Sequence, residues 1–62
     1  MKVAEMIKHC YDIIIIYKQI NDMEFKDLYK GCKDNMPCEL AESNVKCFGA
    51  KGRGITEIEI DA

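Results

Sequence analysis

The chain has 62 residues, 48% of them hydrophobic and 32% charged, and a formal net charge of −2. This length allows a single domain, residues 1–62, with a small core, and the composition is that of a folded chain rather than a disordered one. So mild a charge excludes the strong basic field of a dedicated nucleic-acid binder and the dense negative surface of a DNA mimic.

On a helical wheel, residues 3–10 place Val3, Met6, Ile7 and Cys10 on one face and Glu5, Lys8 and His9 opposite. A short amphipathic helix is expected there, with Cys10 turned inward and His9 outward. Lys8 and His9 interrupt the apolar stretch, so no secretory signal core is expected and the four cysteines are assigned to a reducing cytosol.

Residues 11–20 are dense in β-branched and aromatic side chains around the run Ile13-Ile14-Ile15-Ile16. They predict a strand buried on nearly both faces, at the centre of the sheet, and far too short to span a membrane. Asn21-Asp22 supplies turn chemistry, and residues 23–29 are expected to pair back as a hairpin, although Asp27-Leu28-Tyr29 breaks strict alternation. Residues 31–36 read as a turn. Pro37 suits the first turn of a short helix over 36–43, capped by Asp34 or Asn35 and ended by Ser43-Asn44. Residues 45–48 have strand character, 49–54 form a glycine-rich turn, and 55–60 alternate as a one-sided strand. The expected fold is α+β, in the order α-β-β-α-β-β. A small antiparallel or mixed four-stranded sheet would pack one face against a short N-terminal helix and a short middle helix.

Four cysteines, Cys10, Cys32, Cys38 and Cys47, in so short a chain point to a structural zinc ion, whose binding energy becomes folding energy in small domains. The predicted layout puts Cys32 at the end of the second strand, Cys38 in the first turn of the middle helix and Cys47 at the start of the third strand. Cys10 is the natural fourth ligand, with His9 as the alternative, and helix-terminal amides favour a thiolate at Cys38. The gaps of five and eight residues match no zinc-knuckle spacing, and reduced thiols or disulfides remain the other readings.

No enzyme is expected. The segment from Cys32 to Cys38 has the gap of a cysteine phosphatase loop, but Cys38 stands where the phosphate-binding arginine belongs. There is no Cys-x-x-Cys pair, and neighbouring helix positions hold His9 and Cys10 apart. The turn over 49–54 matches neither the P-loop nor the dinucleotide fingerprint, although Lys51 and Arg53 there could meet a phosphate or an acidic partner. Glu57, Glu59 and Asp61 share one face of the last strand, as a solvated outer face or a protein-binding strip that would also protect a sheet edge. Tyr11, Tyr17 and Tyr29 suit either a core or an interface.

The opening Met-Lys-Val-Ala-Glu-Met-Ile-Lys helix, the β-branched strand after it, the short middle helix and the terminal strand Ile55-Thr56-Glu57-Ile58-Glu59-Ile60 together resemble small α+β proteins of phages and prophages of Gram-positive bacteria. Several of these are anti-CRISPR inhibitors. The resemblance implies a phage protein in the host bacterial cytosol that binds a Cas effector, a type II Cas9 nuclease, and prevents target DNA loading or cleavage without chemistry of its own. A small zinc-containing regulator touching nucleic acid through Lys51 and Arg53 is the alternative, and a phage assembly factor a third reading.

Overall fold

The fold comes from a computed structural model that describes residues 1–10 and 12–61. The strand and tyrosine expectations at Tyr11 lie outside the described residues. In chain order the elements are α1 (Val3–Met6), continued by a 3-10 turn over Ile7–His9, β1 (Ile13–Asn21), β2 (Glu24–Cys32), a second 3-10 turn over Lys33–Asn35, α2 (Cys38–Ala41), β3 (Val45–Gly52) and β4 (Ile55–Ile60). The strands form one mixed sheet in the order β2-β1-β4-β3. Both hairpins are antiparallel, and β1 and β4 run parallel between them.

The isoleucine run does take an inner position, and the β1–β2 turn has the expected chemistry, with Asn21 Oδ1 accepting the Met23 N–H at 3.0 Å. The broken alternation in β2 is a bulge. Ile16 pairs with Tyr29 but Tyr17 with Asp27, so Leu28 is the extra residue, and both Leu28 and Tyr29 reach the core. The Tyr29 ring lies over Gly31, where a Cβ would stand 3.2 Å from its Oη, and its hydroxyl donates to the Cys32 carbonyl at 2.6 Å.

Three expectations need correction. The first helix is α-helical only over Val3–Met6, tightens to 3-10 and ends with Cys10 extended, so it does not run through residue 10. Its last carbonyls are met by the Lys33 ammonium, which donates to Ile7 O at 3.3 Å and Cys10 O at 3.1 Å. The middle helix is Cys38–Ala41 rather than 36–43. Proline forces the residue before it out of the helical region, so Met36 and Pro37 are extended and Asp34 and Asn35 cap nothing. Finally, Gly49 and Gly52 belong to β3, and the turn shrinks to Arg53-Gly54, with Gly54 at φ +73°.

Both helical segments pack on one face of the sheet. Val3 and Met6 are buried with Ile14, Ile16, Ile58 and Ile60, and Leu28, Tyr29, Met36, Leu40 and Val45 close the margins. By the two-residue period of strands, Ile13, Ile15, Tyr17 and Gln19 of β1 and Ile55, Glu57 and Glu59 of β4 point the other way. Among the described residues, no helix covers that second face.

Candidate functional site

The open face is assembled by register. Across β1 from Ile13, Ile15, Tyr17 and Gln19 stand Cys32, Lys30, Asp27 and Phe25 of β2, and across β4 from Glu59 and Glu57 stand Cys47 and Gly49 of β3. Tyr17 and Phe25 meet edge to face, with ring centroids 5.7 Å apart and planes at 75°. Phe25 is 56% exposed and Ile13 38%, whereas Ile15, walled in by its neighbours on this face, is buried.

Beside the aromatic pair lies a polar knot. The Cys47 thiol donates to Glu59 Oε1 at 3.2 Å, and Lys46 Nζ stands 3.4 Å from Glu59 Oε2. The hydrogen bond to Glu59 is the chief reason that the Cys47 thiol titrates above its ordinary range, with desolvation next. Burial, then the neighbouring Cys47 and the carboxylates of Glu59 and Glu57, raises Tyr17 in the same sense. Cys47 is therefore a protonated donor at neutral pH, the opposite of an activated nucleophile.

The acidic strip does not survive as one. β4 is an inner strand, so it protects no edge. Glu59 is only 8% exposed, Glu57 is half-buried with its carboxylate 3.8 Å from Lys51 Nζ, and Asp61 lies beyond the strand end, its N–H donating to Asn44 O at 3.1 Å. Arg53 is exposed in the tight turn. Lys51 sits in the bulge before this turn, with Glu57 as its neighbour across the hairpin.

The cysteines are dispersed as well. Cys32 is level with Ile13 on β2, and Cys47 is level with Tyr17 on β3. Four residues along the strands and three strand spacings across them separate these positions by about 19 Å, while thiolates sharing a tetrahedral zinc lie about 4 Å apart. The parallel insertion of β4 between β1 and β3 is the cause, because it carries Cys47 away from the β2–α2 connection. Cys10 Sγ donates to Met6 O at 3.3 Å, Cys32 Sγ stands 4.0 Å from Asp34 Oδ2, and Cys38 is exposed at the start of α2. Among the described residues, no three His, Cys, Asp or Glu side chains gather as a metal-ligating group. The set Cys10, Cys32, Cys38 and Cys47, with or without His9, does not fit one ion in this fold.

On the helix-covered side, an apolar groove of about 400 Å³ runs between the N-terminal segment and β3. Its lining includes Met1, Met6, His9, Cys10, Phe48 and Ala50. His9 and Cys10 both border this groove, because the chain leaves the helix at Cys10, whose backbone is extended. Sequence reading did not find this groove; Phe48, in the uncharged run Cys47-Phe48-Gly49-Ala50, was its only signal. No helix of the described residues is long and apolar enough to cross a membrane. Comparison with known proteins gives no matching family model, no matching curated protein and no matching solved structure.

Proposed function

We propose that this chain is a binding domain without chemistry of its own, and that it engages a protein through the open face of its sheet. The observation that carries this reading is the Tyr17–Phe25 pair, set with Ile13 and Ile55 on a sheet anchored from behind and covered by no helix among the described residues. Rigid aromatic and aliphatic side chains at the centre of a surface, with charges around them, are the usual composition of an interface hot spot. The ion pairs Lys46–Glu59 and Lys51–Glu57 border the patch and hold their own charges in check, so a partner meets apolar surface rather than a strong field. In the narrower form that the resemblance to phage inhibitors implies, the partner is a bacterial Cas9 nuclease and binding blocks target DNA loading or cleavage.

The test is binding to a purified Cas9–guide complex together with a DNA-cleavage assay. Wild-type protein is expected to bind and to slow cleavage. Phe25→Lys and Ile13→Lys, each with unchanged circular dichroism, are expected to weaken binding at least tenfold, the loss of one central anchor. Variants that bind like wild type would remove the open face from the proposal. Affinity for nucleic acid alone that falls steeply with salt would favour the regulator instead.

A further inference from the structure

The two edges of the sheet are defended very differently. β2 carries Glu24, Lys26, Asp27 and Lys30 and a bulge at its middle, the devices by which exposed strands avoid pairing with other chains. β3 has two bulges, at Lys46 and Lys51, and between them runs Cys47-Phe48-Gly49-Ala50, with no charge and no proline. Lys46 and Lys51 would ordinarily guard such an edge, but their ammonium groups turn toward β4 and stand 3.4 and 3.8 Å from Glu59 and Glu57.

The N-terminal segment covers the start of this edge only. Lys2 bridges to Asn44, Val45 N–H donates to Met1 O at 2.8 Å and Val3 N–H to Ser43 O at 3.0 Å. Beyond Val45 every β3 residue is exposed, and Phe48, at 64%, borders the apolar groove with Ala50.

We propose that β3 is a self-association edge, at which a second copy of this chain pairs antiparallel about a two-fold axis at Gly49. In that register Gly49 faces Gly49 of the second copy, and Phe48 faces Ala50. Directly opposed residues share a face of the sheet, and Phe48 and Ala50 both belong to the helix-covered face, so the eight strands form one continuous sheet with both helical layers on the same side. A slip of one residue would set Phe48 against Gly49, whose positions belong to opposite faces, and antiparallel pairing through this one free edge does not allow it. The register also keeps the lysines apart, with Lys51 opposite Cys47 and Lys46 opposite Gly52. Each Phe48 then lies across Ala50 and Gly49 of the second copy, residues that line its groove. A Cβ at Gly49 would meet nothing within 4 Å in the single chain, so a cysteine can be placed there without disturbing the fold. So short a paired segment makes a small interface, in the size class of weak, concentration-dependent association.

Sedimentation equilibrium of the wild-type chain from about 10 µM to about 1 mM, the span in which weak dimers form, is expected to show the average mass rising from 7.1 kDa toward twice that value. Phe48→Lys, at an exposed position, is expected to keep its circular dichroism and to remain a monomer throughout. Gly49→Cys in a Cys47→Ser background is expected to yield a covalent dimer joined through residue 49 on mild oxidation. A wild-type mass fixed at 7.1 kDa would overturn the proposal and leave this edge to strands of other proteins. A dimer untouched by Phe48→Lys would move the interface elsewhere, and failure of residue 49 to cross-link would overturn the register.

Discussion

Lys33 shows how much a single residue decides in a chain this small. Its ammonium donates to the Ile7 and Cys10 carbonyls at the end of the shortened first helix, across 26 and 23 residues of sequence, and so ties the helical layer to the end of β2. The reading of the sequence treated Lys33 as part of a polar turn, because nothing local marks it as a cap for a distant helix. The Cys47–Glu59 hydrogen bond is of the same kind, a cross-strand pair that depends on register alone. Because Cys47 and Tyr17 are both raised, the folded chain holds their protons more tightly than the unfolded chain does. Their contribution to stability is therefore complete below the ordinary thiol pKa and is lost as pH rises through the raised folded values. Urea midpoints are expected to fall above about pH 9, and a midpoint unchanged between neutral and alkaline pH would refute the linkage. Glu59→Gln removes the neighbouring carboxylate charge and is expected to speed iodoacetamide alkylation of Cys47 severalfold at mildly alkaline pH, read by peptide mass mapping.

Whereas the 3-10 turns over Ile7–His9 and Lys33–Asn35 were not legible, the four strands and the two short helices were, because each rests on a local pattern, such as the β-branched run for β1, turn residues at 21–22 and alternation for β4. Their limits were less so. Proline at 37 was read as a helix opener, whereas its effect on Met36 pushes the helix start to Cys38. The three glycines after Phe48 were read as one long turn, yet only Gly54 has a backbone that needs glycine. This difference is testable within one hairpin. Gly54→Ala is expected to cost about 1 kcal/mol, since φ +73° penalises a Cβ. Gly52→Ala, whose Cβ would meet no atom within 4 Å, is expected to stay within about 0.5 kcal/mol of wild type. Equal losses in thermal or urea unfolding would show that Gly52 also carries turn strain.

At the scale of the whole molecule, stability comes from a single buried layer between the helical segments and one sheet face, anchored on Val3, Ile14, Ile16 and Ile58. Since the topology scatters the thiols, Cys38→Ser is expected to change the unfolding free energy by less than about 0.5 kcal/mol, and native and denatured masses are expected to agree. One zinc per chain in the native mass, or unfolding of Cys38→Ser, would show that the cysteines assemble in a way this fold does not provide. Much was determined by the sequence alone: the α+β class, the four strands with two short helices and the inner place of the isoleucine strand all follow from periodicity, propensity and turn chemistry, which are local. Only the tertiary structure decided that β4 enters between β1 and β3. That one placement buries Glu59, parts Cys32 from Cys47 and leaves β3 as an edge. Strand order is set by which long-range pairing buries the most apolar surface, a comparison of whole arrangements that no single segment of this chain encodes.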